Sequence, residues 1–208
     1  MNDHTNELER QLRRGPGGDP AEAARRLVAA AERAGLLDVA YARVDSPLGE
    51  LTVAATERGL VRIAYPERDP DAVLEELARR VSPRVLEAPA RLDDVRRQLD
   101  EYFSGRRRSF ELRIDWSLAQ GFAAKVLRAT ARIPAGEVRT YRAIAEAAGS
   151  PRAVRAAGNA LGSNRIPIVV PCHRVVRTGG ALGGYTGGIE RKRFLLRLEG
   201  WEGARADG

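Results

Sequence analysis

The chain has 208 residues, 43% of them hydrophobic and 30% charged, with a formal charge of +7. That composition is globular and excludes a chain disordered throughout, and no apolar run approaches the ~18 residues a membrane helix needs. A single cysteine, Cys172, excludes an intramolecular disulfide and a multi-cysteine zinc site; the polar N-terminus carries no signal-peptide core, so a reducing cytoplasm is the expected home.

The predicted elements, in chain order, begin with a breaker-rich segment. Residues 1–20 contain Gly15-Pro16-Gly17-Gly18-Asp19-Pro20 and no periodicity, and are expected to be mobile. Residues 21–34 place Ala24, Leu27, Val28 and Ala31 at helical spacing, with Gly35 as a stop. Together, residues 1–38 form an N-terminal extension. Three short β-type runs follow, at 39–44, 51–56 and 60–65, joined by turn-rich links; they predict an antiparallel meander. A helix over 69–80 has Asp69 as N-cap, Pro70 at its first position and Val73, Leu74 and Leu77 as its apolar face. A second helix spans about 92–103, stopped by Gly105, and residues 110–114 read as one more strand. Residues 39–115 therefore predict a small α+β scaffold domain with an antiparallel sheet.

Residues 119–200 read differently. Helices are predicted at 122–131, 141–148 and 151–161, ended by Pro134, Gly149 and Gly162. The last two have helix-turn-helix spacing. An apolar stretch, Ile166-Pro167-Ile168-Val169-Val170-Pro171, leads into Cys172-His173-Arg174. A Gly-rich segment (179–188) and a closing helix (190–198) complete a mostly helical domain, and 201–208 are a tail.

Charge divides along the same line. Residues 1–118 hold 20 Arg and 22 Asp+Glu, net −2; residues 119–208 hold 13 Arg, 2 Lys and 6 Asp+Glu, net +9. Codon bias explains arginine over lysine, but not the missing acids. A basic half points to a polyanion, most simply nucleic acid.

Of two histidines, His4 lies in the N-terminal segment and His173 adjoins the only cysteine. A thiolate is a soft nucleophile whose pKa must be lowered by a base or a positive charge, and His173 and Arg174 are placed to help. In a strand, neighbours point to opposite faces, so His173 would then reach the sulfur through a water. A buried, inert cysteine is the competing reading.

Several segments together decide between them. Pro171-Cys172-His173-Arg174-Val175 resembles the active-site signature of the O6-alkylguanine-DNA alkyltransferases (methylated-DNA–protein-cysteine methyltransferases). Val138-Arg139-Thr140-Tyr141 is similar to the family's tyrosine segment. The run from Arg152 to Ala160 resembles its recognition helix, with Arg155 at the arginine-finger position. Asn164 matches its hinge asparagine, Gly183-Gly184-Tyr185-Thr186-Gly187-Gly188 its substrate loop, and Leu195-Leu196-Arg197-Leu198-Glu199-Gly200 its terminal helix. The resemblance covers about 39–200.

The resemblance implies an α+β protein with an RNase H-like N-terminal domain. It implies direct-reversal DNA repair: O6-alkylguanine, and O4-alkylthymine, flipped from duplex DNA and dealkylated by Cys172, once per molecule. Glu199 would orient His173, which would draw the Cys172 proton through a water; Tyr141 would neutralise the leaving guanine. Arg155, Ala156, Ala157, Gly158, Thr140 and Arg152 would bind the minor groove. Asn164, Val175, Tyr185, Thr186 and Pro167 would shape the pocket, with the carbonyls of Val175 and Cys172 on its wall. No cofactor and no metal are expected, since 39–115 lack the Cys and His of zinc-bearing relatives, and the partner is double-stranded DNA bound by a monomer. A non-catalytic lesion binder would lack Cys172; a cysteine hydrolase would leave Arg155 and the basic half unexplained.

Overall fold

The computed structural model describes residues 19–201 and Gly203. The segment 1–18, with His4, and most of the 201–208 tail lie outside the described residues. The chain divides between Leu37 and Asp38 into two units. The first contains helix α1 (Pro20–Arg33). Asp19 caps it by accepting from the Ala21 N–H at 3.0 Å, Pro20 occupies its first position, and Gly35 ends it at φ +64°.

The second unit begins with a sheet of β1 (Val39–Val44), β2 (Leu51–Thr56) and β3 (Gly59–Ala64), the predicted antiparallel meander. The sheet order is β3-β2-β1-β4. The fourth strand, β4 (Val85–Glu87), pairs parallel with β1 and makes the sheet mixed; its three residues show no alternation that a sequence could reveal. Helix α2 (Pro70–Arg80) is capped by Asp69 as predicted, and packs Val73 and Leu77 with Val39, Ala54 and Val61. Helix α3 (Asp93–Phe103) follows a 3₁₀ turn at Pro89–Leu92.

Residues 110–114 are not a strand. Only Ile114 bridges to the sheet, at Leu60. Upstream, the Glu111 N–H donates instead to the Gln98 side chain at 2.8 Å, and Phe110 stacks 5.1 Å from Tyr102, so α3 rather than the sheet holds this segment. Gly59, at φ +133°, permits the approach: a Cβ there would lie 2.2 Å from the Arg113 carbonyl oxygen.

The remaining chain is mostly helical: α4 (Gly121–Thr130), α5 (Tyr141–Ala147), α6 (Val154–Gly162) and α7 (Ile189–Leu198). A two-stranded parallel pair, β5 (Arg139–Thr140) with β6 (Val175–Val176), ties the start of α5 to the segment after Cys172. The architecture is α+β. One apolar cluster joins Leu51, Val53, Leu60 and Ile63 of the sheet, Leu99 and Tyr102 of α3, and Val126, Ile144, Ala157 and Leu195 of the helical half. No helix among the described residues is long and apolar enough to cross a membrane.

Candidate active site

Helix α5 begins where Thr140 accepts from the Ala143 N–H at 3.1 Å. A turn through Gly149, at φ +81°, returns the chain into α6. That helix starts at Val154, three residues later than expected, because 151–153 form a turn. Arg152 is therefore exposed ahead of α6 rather than on it. On α6, Arg155 and Ala156 are exposed, Gly158 is half-buried, and Ala157 faces the core.

After α6 the chain makes a knot of turns rather than a strand. Asn164 fastens it: its Nδ2 donates to the Val170 carbonyl at 2.8 Å and to Cys172 Sγ at 3.0 Å, and its Oδ1 accepts from the Ile166 N–H at 3.0 Å. Ile168 is buried at φ +75°. Cys172–Arg174 is a 3₁₀ turn, so the alternation expected of a strand does not govern Cys172 and His173. The β5–β6 pairing then sets Tyr141 beside the cysteine.

Cys172 lines an open cavity of about 520 Å³ whose wall also includes Tyr141, Arg155, Gly158, Tyr185, Thr186 and Arg177. That is ample for one purine base. Tyr141 donates to the Gly184 carbonyl at 3.3 Å, and Thr186 Oγ1 to the Gly162 carbonyl at 3.2 Å. Tyr185 and Tyr65 share a hydrogen bond at 2.6 Å, which anchors the Gly-rich loop to the end of the sheet. Pro167 lies instead on a neighbouring cavity. Val175 is buried outside the wall, and its carbonyl accepts from Lys192 at 2.6 Å; the Cys172 carbonyl accepts from the Val175 N–H.

Behind the thiol lies a buried ionic network. Glu199 receives His173 Nε2 at 2.9 Å, Tyr102 Oη at 2.6 Å, and Arg174 through Nε at 2.9 Å and Nη2 at 2.7 Å. Burial pushes Glu199 up, but the hydrogen bonds from His173 and Arg174 outweigh it and hold the carboxyl at about 2. An ionised carboxylate only accepts, which assigns the imidazole proton to Nε2 and leaves Nδ1 bare. Nδ1 is buried with no partner among the described residues. Burial also lowers the His173 pKa, so the imidazole is a neutral base at pH 7.

Arg174, expected beside the sulfur, grips Glu199 and the Ile133 carbonyl instead. Burial pushes the Cys172 thiol up to about 11, against the Asn164 N–H and the Lys192 charge, which lower it. Lys192, itself brought down to about 8 by burial, also donates to the Leu182 carbonyl. Tyr102, Tyr65 and Lys192 carry no sequence signal of their own; they join the site only through contacts distant in the chain.

Two family models match the chain: the 6-O-methylguanine DNA methyltransferase ribonuclease-like domain over residues 39–116, and its DNA-binding domain over 121–201. The constitutive methylated-DNA–protein-cysteine methyltransferase of Bacillus subtilis is 40% identical over 163 residues, covering 76% of this chain and 94% of that protein. A methylated-DNA–protein-cysteine methyltransferase of Methanosarcina barkeri is 37% identical, covering 76% of this chain and 96% of that protein. The crystal structure of Mycobacterium tuberculosis OGT in complex with DNA matches with a TM-score of 0.66 at 38% identity, over 77% of this chain and 92% of that one. A buried cysteine on the wall of a base-sized cavity, the His173–Glu199 pair, and family models over 39–116 and 121–201 lead to one assignment: the chain belongs to the methylated-DNA–protein-cysteine methyltransferase family.

Proposed function

We propose that this protein repairs O6-alkylguanine in duplex DNA by taking the alkyl group onto Cys172. The observation that carries the reading is Cys172 on the wall of a base-sized cavity, next in the chain to a His173 whose Nδ1 is buried without a partner. The Cys172 proton passes through a bridging water to Nδ1, and Glu199 stabilises the imidazolium that forms. The thiolate attacks the alkyl carbon in line. The S–C bond forms as the C–O6 bond breaks, and the electron pair stays on guanine.

Tyr141 gives its phenolic proton to the leaving base, and the proton held by His173 returns through water to Tyr141, so no net proton is gained or lost. Tyr185, Thr186 and the nearby backbone hold the base edge. The thioether product has no leaving group that the relay can expel, so each molecule acts once. O4-alkylthymine presents the same alkyl–oxygen bond and is a second substrate.

The base must leave the stack to reach Sγ, which costs a few kcal/mol. Arg155, exposed on α6, fills the vacated space, and the small Ala156 and Gly158 bring α6 against the minor groove. Thr140 and Arg152 flank α5 and α6 on the backbone side. The division of labour follows: 39–115 is a scaffold, 119–200 binds DNA and reacts, 1–38 is an extension, and one monomer serves one lesion.

The test is intact-mass spectrometry after mixing the protein with excess duplex carrying one O6-methylguanine. A gain of about 14 Da on Cys172 is expected. Unchanged mass with tight lesion binding would refute transfer.

A further inference from the structure

We propose that the cavity adjoining the target pocket is a phosphate site that takes a phosphodiester of the bound DNA strand. The inference rests on the repair reading above and adds a contact to it. The cavity, about 360 Å³, lies between β3 and the turns after α6; its wall includes Arg62, Arg68, Arg165 and Arg191. It shares Gly162 and Thr186 with the wall beside Cys172.

Its charge is uncompensated. Glu76 is the carboxylate for three guanidiniums, Arg165 at 3.0 Å, Arg80 at 3.2 Å and Arg62 at 3.5 Å. Arg191 is matched by Glu67, through contacts of 2.9 and 2.5 Å, and stacks on Tyr65. Arg68 makes no ion pair among the described residues. The wall thus carries four guanidiniums and one carboxylate, Glu67, while Glu76, off the wall, is shared by Arg62, Arg165 and Arg80.

Arg62 is the sharpest sign. It is 4% exposed on β3, and its Nε is buried with no partner. Burial, and the charges of Arg165, Arg68 and Arg80, bring its pKa down to about 10 against the pull of Glu76. A buried N–H without an acceptor costs stability that an anion would return. Planar guanidiniums match phosphate oxygens in pairs.

A DNA strand is the favoured source. Phosphates recur about every 3.4 Å of rise along each strand. A strand that delivers a base to one cavity therefore carries its backbone past the other, across the shared Gly162–Thr186 wall.

The test uses the double variant Arg68→Gln, Arg165→Gln. Both side chains reach the surface, and Glu76 keeps Arg62 and Arg80. Duplexes with one O6-methylguanine carry a neutral methylphosphonate at each flanking linkage in turn. One linkage should weaken wild-type binding about fivefold and leave the double variant unaffected. The salt slope of the double variant should fall by about 0.9. Identical methylphosphonate profiles for both proteins would overturn the proposal.

A second arm separates a free anion. The DNA-free proteins are melted in inorganic phosphate and in chloride at equal ionic strength. A wild-type Tm rise that the double variant lacks, with identical methylphosphonate profiles, would assign the cavity to free phosphate and overturn the DNA contact. The mass of Cys172 in the same mixtures reads methyl transfer separately. Transfer without linkage coupling would sink this proposal alone; absence of transfer would sink the reading beneath it.

Discussion

Tyr102 on α3 donates its hydroxyl to Oε1 of Glu199, 97 residues further along the chain, at 2.6 Å. The bond reaches from the sheet-bearing half of the protein to the buried acid that is hydrogen-bonded to His173. Glu199 thereby holds four hydrogen bonds, enough to keep it ionised where water does not reach.

Acid stability should report this network. Glu199 is held at about 2 against an ordinary 4.5, and burial lowers His173 from 6.5. Both are depressed, so the unfolded chain binds protons first. Stability should be fully present above about pH 6.5, begin to fall as unfolded His173 protonates, and fall further from about 4.5 toward 2. The Glu199 share is on the order of 3 kcal/mol. Urea unfolding across this range should show the steep acid limb in wild type and lose part of it in Glu199→Gln. Tyr102→Phe should cost about 1–2 kcal/mol at pH 7. Acid limbs of equal slope in wild type and Glu199→Gln would contradict the assignment.

The thiol should be sluggish toward small reagents. With Cys172 pushed up to about 11, only about one molecule in a thousand or fewer carries thiolate at pH 8. Iodoacetamide should label native Cys172 far more slowly than the urea-unfolded chain, with a rate that climbs past pH 10. Asn164→Ala removes an N–H that favours the thiolate, and should slow labelling again at equal pH. Fast labelling of the native protein at pH 7 would show that the sulfur is already ionised.

Arg155 should matter only where a stack has to be opened. Arg155→Ala should slow repair of duplex O6-methylguanine about tenfold. Its reaction with free O6-benzylguanine should match wild type. Equal losses on both substrates would place Arg155 in the pocket chemistry instead.

Gly187 is the tightest point of the Gly-rich loop at 183–188. A Cβ there would meet Tyr65 Cε2 at 2.5 Å and Tyr185 Cε1 at 2.9 Å. Gly187→Ala should cost about 1–3 kcal/mol and push the two rings apart. Reaction with free O6-benzylguanine should slow while iodoacetamide labelling of Cys172 stays unchanged. Tyr65→Phe keeps the ring, loses the 2.6 Å bond, and should show the same split in milder form.

Residues whose chemistry is local were legible before any coordinates. Asp69-Pro70 announces the start of α2, and the Pro171–Val175 run marks Cys172 as the candidate nucleophile. The misreadings share a cause. Residues 110–114 alternate like a strand, yet a side chain of α3 takes their backbone hydrogen bond. The chain around Cys172 looks β-branched and extended, yet Asn164 folds it into turns. Adjacency assigns Arg174 to the sulfur, yet Glu199 draws it away. In each case a partner remote in sequence outbid the local pattern, and one chain gives no sign of which remote residue that will be.

The apolar cluster that joins the sheet to the reactive helices limits how the two halves can be inherited. A segment of 119–200 grafted onto another protein would keep Cys172, His173 and Glu199. It would lose Tyr102 from the acid, Tyr65 from the loop, and the sheet residues that pack beneath both. The half without Cys172 thus helps to build the site around it. Exchange between relatives should work only when both halves travel together, or when the seam between them is rebuilt.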